Sequence, residues 1–263
     1  VMSSQMNAAF LDFASLGFGI NTAPLDKLLK VNYHSHSNNN DLLPRLHGKQ
    51  IAILNKLALD REIMRASTDL KLILLAATGT DNIDLEAAKE AGIAVSNIRG
   101  YCTASVVQHV MSLVLGLTRH IRGCPTPSSG KDWENIEMRT LAEYPIRELT
   151  GKALGIIGYG NLGCAVAQAG KCFGMEPLIA ERIDINADEL RGGRTPFNRV
   201  LKEADVISLH CPLTPATRHL IGTKELNMMK SDAVLINTAR GALVDSQALV
   251  DALDAKIIGG AGI

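Results

Sequence analysis

Leu154-Gly155-Ile156-Ile157 runs without a charge into Gly158-Tyr159-Gly160-Asn161-Leu162-Gly163, and helical spacing begins at Cys164. A bare G-x-G-x-x-G says little. Here a strand-like run precedes it, a helix follows, and the next apolar run ends on an acid, Glu181. Gly158 permits a tight turn, Gly160 lets backbone approach a pyrophosphate, and Gly163 lets helix and strand pack closely. The helix N-terminus then faces the anion. A purely structural glycine turn is the competing reading, but strand, helix and acid together favour a dinucleotide site. Glu181 is placed to accept hydrogen bonds from the adenosine ribose, which favours NAD, because a carboxylate repels a 2′-phosphate. Arg182 beside it reads either as a solvated charge or as a partner for that phosphate, so NADP stays open.

The rest of the chain fits around that unit. Short apolar runs at 8–11, 51–54, 72–76 and 94–96 read as buried strands, with helical spacing at 60–66 and 85–91. The pattern resumes with strands at 154–157, 177–180, 206–209 and 234–237. Strand and helix in alternation predict parallel sheets covered on both faces. Strands buried on both faces lose the two-residue alternation and read as continuous Ile/Leu/Val runs. A long apolar helix is predicted over 104–122, followed by an irregular stretch over 123–151 with Pro125, Pro127 and Pro145. Two α/β units divide near residue 100. The apolar run in 256–263 ends without a turn or cap, and the chain is expected to continue past Ile263.

Composition excludes more than it selects. With 263 residues and 46% hydrophobic side chains, the chain can bury a core without disulfide or metal staples. Lys+Arg and Asp+Glu both number 27, so no global field points to nucleic acid or an anionic membrane. Five cysteines, an odd number with no C-x-x-C, fit a reduced, cytoplasmic protein and no zinc site. His34-x-His36, before the Asn38-Asn39-Asn40 run, reads as a polar loop without the partners of a metal site. The stretch 100–118 is broken by polar residues too often for a membrane span.

Two further loops follow strand ends, His210-Cys211-Pro212-Leu213-Thr214 and Thr238-Ala239-Arg240-Gly241, where open α/β sheets bind ligands. With Asn237 before it and Val244-Asp245 after it, the second loop resembles the signature of the D-2-hydroxyacid dehydrogenases. So do Thr78-Gly79-Thr80-Asp81-Asn82-Ile83-Asp84, the Gly158–Gly163 turn and the His210 loop. The motifs occur in order over nearly the whole chain. The stretch from Arg99 to Gln108-His109 looks most like glycerate dehydrogenases, also called hydroxypyruvate reductases.

The resemblance implies two doubly wound parallel-sheet domains with the active site in the cleft. Residues 1–100 would form most of a flavodoxin-like substrate domain, and 101–263 a Rossmann NAD-binding domain. It implies NAD(H)-dependent reduction of a small 2-oxo acid, hydroxypyruvate or glyoxylate, by a homodimer. Backbone N–H groups at Thr78 and Gly79 would hold the substrate carboxylate while Arg240 grips carboxylate and carbonyl. Thr103, Asn161, Leu162, Glu181, His210, Cys211, Pro212, Thr217, Thr238 and Ala239, together with Arg240, match cofactor-lining positions. Lys56, at the end of a substrate-domain strand, reads equally as a substrate contact or a surface charge. The family's acid–base pair, a Glu and then a His, would fall beyond Ile263, so the 263-residue chain is expected to be inactive as it stands. His109 and His210 read as structural rather than as substitutes. The same scaffold also serves phosphoglycerate, formate and phosphite, and nucleotide-sensing corepressors. A Glu and a His past Ile263 would separate enzyme from sensor.

Overall fold

A computed structural model describes residues 5–121, 146–185 and 190–263. The chain divides into two compact units, Val1–Tyr101 and Cys102–Ile263. Strand and helix alternate through both.

In the first unit, strands β1 (Asn7–Phe10), β2 (Lys30–Tyr33), β3 (Ile51–Leu54), β4 (Leu72–Leu75) and β5 (Ala94–Asn97) form one parallel sheet in the order β2-β1-β3-β4-β5. Side chains alternate across it, so Ala9, Ala52, Leu54, Ile73 and Leu75 enter one core cluster while Ala8, Phe10, Ile51 and Ile53 enter another. That is why these strands read as unbroken apolar runs. Helices α1 (Ala23–Asp26), α2 (Asn39–Leu46), α3 (Arg61–Ala66) and α4 (Leu85–Glu90) connect them. Asp60 and Asp84 start α3 and α4 by accepting from the backbone N–H groups of Ile63 and Ala87, at 2.9 and 2.8 Å.

Two elements differ from expectation. Helix α2 carried no sequence expectation, and Asn38 caps it. Its side chain accepts from the N–H groups of Asn40 and Asp41 while Asp41 accepts from the Asn38 N–H at 2.9 Å, a reciprocal capping box. Strand β2 was not foreseen, because an edge strand with Lys30 and Asn32 turned outward lacks the apolar run of its neighbours.

The second unit opens with α5 (Thr103–Thr118), shorter than the expected 104–122. Most of the irregular stretch 123–151 lies outside the described residues. Strands β6 (Ala153–Ile157), β7 (Glu176–Ile179), β8 (Val206–Leu209), β9 (Val234–Asn237) and β10 (Gly260–Gly262) pair in parallel in the order β10-β9-β8-β6-β7. Between them run α6 (Asn161–Cys172), α7 (Phe197–Glu203), α8 (Thr223–Leu226) and α9 (Ser246–Asp254). Leu154, Ile156, Val206, Val234 and Ile236 pack with α5 and α6 on one face. Ile157, Ile207, Leu209 and Leu235 pack with α7, α8 and α9 on the other. The order reverses between β6 and β8, which places the carboxyl end of β6 at the switch point where such sheets bind ligands. Among the described residues no helix is long and apolar enough to cross a membrane.

Candidate functional site

In the second unit, Gly158 leaves β6 with φ +94°, a conformation that L side chains rarely adopt. A Cβ there would lie 2.5 Å from the backbone nitrogen of Cys211, so the β8 loop crosses against this glycine. At Gly163 a Cβ would collide with the carbonyl oxygen of Gly158, because the first turn of α6 folds back onto the strand. Gly160 differs: among the described residues nothing lies within 4 Å of a Cβ built there. It caps α6 with no side-chain hydrogen bond. Among the described residues no acceptor is found for the N–H groups of Asn161, Leu162 or Gly163. Unsatisfied amides at the positive end of a helix, facing open space, form an anion cradle. A pyrophosphate fits these residues.

Beyond the turn, Glu181 and Arg182 follow β7 and share a cavity of about 410 Å³ with Gly158, Cys211, Pro212 and Thr217. Thr217 staples the wall, donating to the Pro212 carbonyl at 2.7 Å and accepting from the Thr214 N–H at 2.8 Å. The Glu181 side chain is 1% exposed and already engaged by the Arg191 guanidinium and by the N–H of Arg182 at 2.9 Å. Those contacts, the Arg191 side chain first, pull its carboxyl down to about 2. Arg182 is exposed and forks onto Asp184 at 3.1 and 2.8 Å. Neither Arg191 nor Arg194, which also lines this cavity, carried a sequence signal.

His210 and Ser208 are hydrogen-bonded at 2.9 Å, with Ser208 fully buried. Burial pushes the imidazole down to about 4, so it is neutral near pH 7 and lacks the paired carboxylate of a catalytic acid. Its folded value lies below the ordinary 6.5, so between those values the unfolded chain takes up a proton that the folded chain refuses. Stability from this site is therefore complete above pH 6.5 and is lost as pH falls toward 4, by up to roughly 3 kcal/mol. Melting temperatures measured from pH 7 to pH 4 are expected to fall less steeply in His210→Gln than in the wild type. Parallel curves would remove His210 as the cause.

Around Arg240 the loop is built by Asn237, a residue sequence reasoning left without a role. Asn237 ends β9 buried, donates to the Arg240 carbonyl at 2.8 Å and accepts from the Ala239 N–H at 3.1 Å. An Asx staple after a strand is the signal that could have identified it. Thr238, Ala239 and Arg240 line a second cavity, about 650 Å³, together with His109 from α5. The Thr238 hydroxyl oxygen is buried and has no hydrogen-bond partner among the described residues. Such an orphan costs stability unless a ligand satisfies it. Thr103, in the first turn of α5, lines neither cavity.

In the first unit, Thr78 and Gly79 follow β4. The Thr78 hydroxyl donates to the Ile98 carbonyl at 2.8 Å, and Asn97 donates to the Thr78 carbonyl at 2.6 Å. Among the described residues the Thr78 and Gly79 N–H groups have no acceptor. Lys56 sits in a loop tied down by Asp12, whose buried carboxylate accepts from the N–H groups of Asn55, Lys56 and Leu57 at 2.9, 2.7 and 3.1 Å. Asp12→Ala strands all three amides and is expected to destabilise by roughly 3 kcal/mol. A urea midpoint unchanged from the wild type would show that water replaces the carboxylate at no cost.

Comparison with known proteins agrees with this geometry. The profile of the D-isomer specific 2-hydroxyacid dehydrogenase NAD binding domain matches residues 111–263. The chain is 41% identical over 230 residues to a glycerate dehydrogenase of Methylorubrum extorquens, covering 88% of this chain and 71% of that protein. It is 40% identical over 210 residues to a glyoxylate reductase of Thermococcus litoralis, covering 78% and 62%. Among solved structures it resembles the D-lactate dehydrogenase of Aquifex aeolicus complexed with NAD and lactic acid. That match has a TM-score of 0.81 at 29% identity and covers 97% of this chain and 75% of the other. A profile matched over more than half of the sequence, on a doubly wound unit with a glycine turn at its switch point, settles the family: the chain belongs to the D-isomer specific 2-hydroxyacid dehydrogenases, NAD-dependent oxidoreductases.

Proposed function

We propose that the protein reduces a small 2-oxo acid, hydroxypyruvate or glyoxylate, to the D-2-hydroxy acid with NADH. The observation that carries this reading is the Gly158–Gly163 turn, with open space over Gly160 and unpaired amides at the start of α6. In this assignment residues 101–263 form the cofactor domain and 1–100 the substrate domain. Gly158, Gly160, Asn161, Leu162 and Gly163 hold the pyrophosphate, and Glu181, Cys211, Pro212 and Thr217 wall the adenosine side. When bound, the nicotinamide would supply a hydride to the substrate carbonyl carbon, and the alkoxide formed would take its proton from a group outside the assigned residues or from water.

The chain's own groups prepare the substrate. The free amides of Thr78 and Gly79 are assigned to the substrate carboxylate, with Lys56 adding positive charge nearby in that unit. Arg240 is assigned to carboxylate and carbonyl, where a bidentate guanidinium stabilises the negative charge that grows on oxygen. Thr238 offers its unpartnered hydroxyl beside it. His210 is not assigned as the proton donor, because burial lowers its pKa and its partner is the Ser208 hydroxyl rather than a carboxylate. The names of two relatives, a glycerate dehydrogenase and a glyoxylate reductase, support hydroxypyruvate and glyoxylate as the substrates. The same reading carries a homodimer, which sedimentation reports directly, and a cytoplasmic location consistent with the cysteine usage.

The decisive assay follows NADH oxidation by the full-length protein with hydroxypyruvate, glyoxylate, phosphohydroxypyruvate and pyruvate in parallel. Highest kcat/KM with one of the first two is the expected result. A preference for the phosphorylated acid would move the substrate to the phosphoglycerate class. NADH binding without turnover of any of them would favour a nucleotide sensor.

A further inference from the structure

Glu181 ends its strand where an adenosine ribose would meet it, yet its carboxylate is already covered. Arg191 Nε lies 2.9 and 3.1 Å from the two carboxylate oxygens, its Nη2 pairs with Oε1, and its backbone N–H reaches Oε2 at 3.2 Å. The Arg191 side chain stays 57% exposed while that of Glu181 is 1% exposed, so the guanidinium lies on the solvent side of the acid. Nε and Nη2 are used on Glu181; Nη1 donates to none of the described residues. A guanidinium carries five N–H donors in a planar fork, so this edge can grip a second anion while the first stays bound.

The surroundings are cationic. Arg182, Arg191 and Arg194 line this cavity against only Glu181 and Asp184. Arg182 is spent on Asp184, whereas the Arg194 guanidinium lies 5.1 Å over the Tyr159 ring, beside the Gly158 turn. An uncovered acid at the end of this strand repels a 2′-phosphate. A covered one presents to the cavity the positive edge of its partner.

We propose that Arg191 sets the choice of dinucleotide, masking Glu181 and offering its free edge to a 2′-phosphate, so that the site takes NADPH as well as NADH. The inference rests on the dinucleotide reading of the Gly158–Gly163 turn. It assigns to Arg191 the role that the sequence alone would give to its neighbour Arg182.

The test is direct binding, which does not depend on turnover. Dissociation constants of NADH and NADPH are measured on the full protein, on Arg191→Ala and on Glu181→Gln, with 2′,5′-ADP and 5′-ADP as fragment probes. Wild type is expected to bind the two dinucleotides within about tenfold of each other. Arg191→Ala uncovers the acid and removes the phosphate donor, so NADPH and 2′,5′-ADP weaken about 50-fold or more while NADH changes little. Glu181→Gln releases Arg191 and tightens NADPH relative to NADH, a shift independent of whether the alanine variant folds. A merely structural arginine would weaken both dinucleotides in parallel, and that result overturns the proposal. So does a wild type that binds NADH and excludes NADPH. If neither dinucleotide nor either ADP binds, the dinucleotide reading itself falls.

Discussion

Arg240→Ala is expected to lower kcat/KM for the 2-oxo acid by ~10²-fold or more while leaving NADH affinity nearly unchanged. Arg240 follows β9 in a loop that Asn237 holds at the Arg240 carbonyl and the Ala239 N–H, while the Arg240 Nη1 donates to the Ala239 carbonyl at 3.0 Å. Truncation removes the guanidinium and that contact, and leaves both Asn237 bonds to hold the loop. What is lost is charge stabilisation that grows toward the transition state, and this appears in kcat as well as KM. Arg240→Lys is expected to recover only part of the rate, since an ammonium cannot form the planar two-point pair. An alanine variant with near-normal kcat/KM would take Arg240 out of the mechanism. A loss confined to NADH binding would place it on the cofactor instead.

Gly163→Ala is the substitution expected to do most damage to the cofactor domain. The added methyl has nowhere to go, because it lands on the Gly158 carbonyl oxygen and meets Ile156 Cγ2 at 3.1 Å. Backbone cannot rotate aside as a flexible side chain would, so α6 must lift off β6. Overpacking of this kind costs roughly 3 kcal/mol, a fall in melting temperature of about 6–12 °C at this chain length. The same lift moves the unpaired amides of Asn161 and Leu162, so NADH affinity is expected to fall with stability. Gly160→Ala is the matched control: its methyl meets no atom of the described residues, so stability is expected to hold while the dinucleotide is blocked. Equal melting temperatures for Gly163→Ala and wild type would refute the close-packing account of this glycine.

Much of the architecture is legible from residue order alone. The runs 51–54, 206–209 and 234–237 coincide with β3, β8 and β9, because strands buried on both faces are almost wholly apolar, with Ser208 and Asn237 the two polar positions in these runs. The glycine turn is equally legible, since Gly158 and Gly163 answer local steric demands and Gly160 leaves room for a ligand. Edge strand β2 and helix α2 were harder. One carries its polarity outward, and the other begins in a run of asparagines whose capping role needs Asp41 folded back onto Asn38.

The candidate site separates along the same line. That Glu181 ends a strand after a glycine turn is a matter of spacing, and spacing is written in the chain. That Arg191, ten residues on, covers it is not, because only the tertiary fold brings the two side chains together. Likewise, the chain shows a histidine after β8, but only packing around it, with Ser208 buried alongside, pushes its pKa down. Local periodicity and sterics determine which elements form and where backbone must approach closely. Charge state and ligand choice depend on which side chains the tertiary fold brings within a few ångströms, and at that range Coulomb and hydrogen-bond energies change faster than any sequence pattern can record.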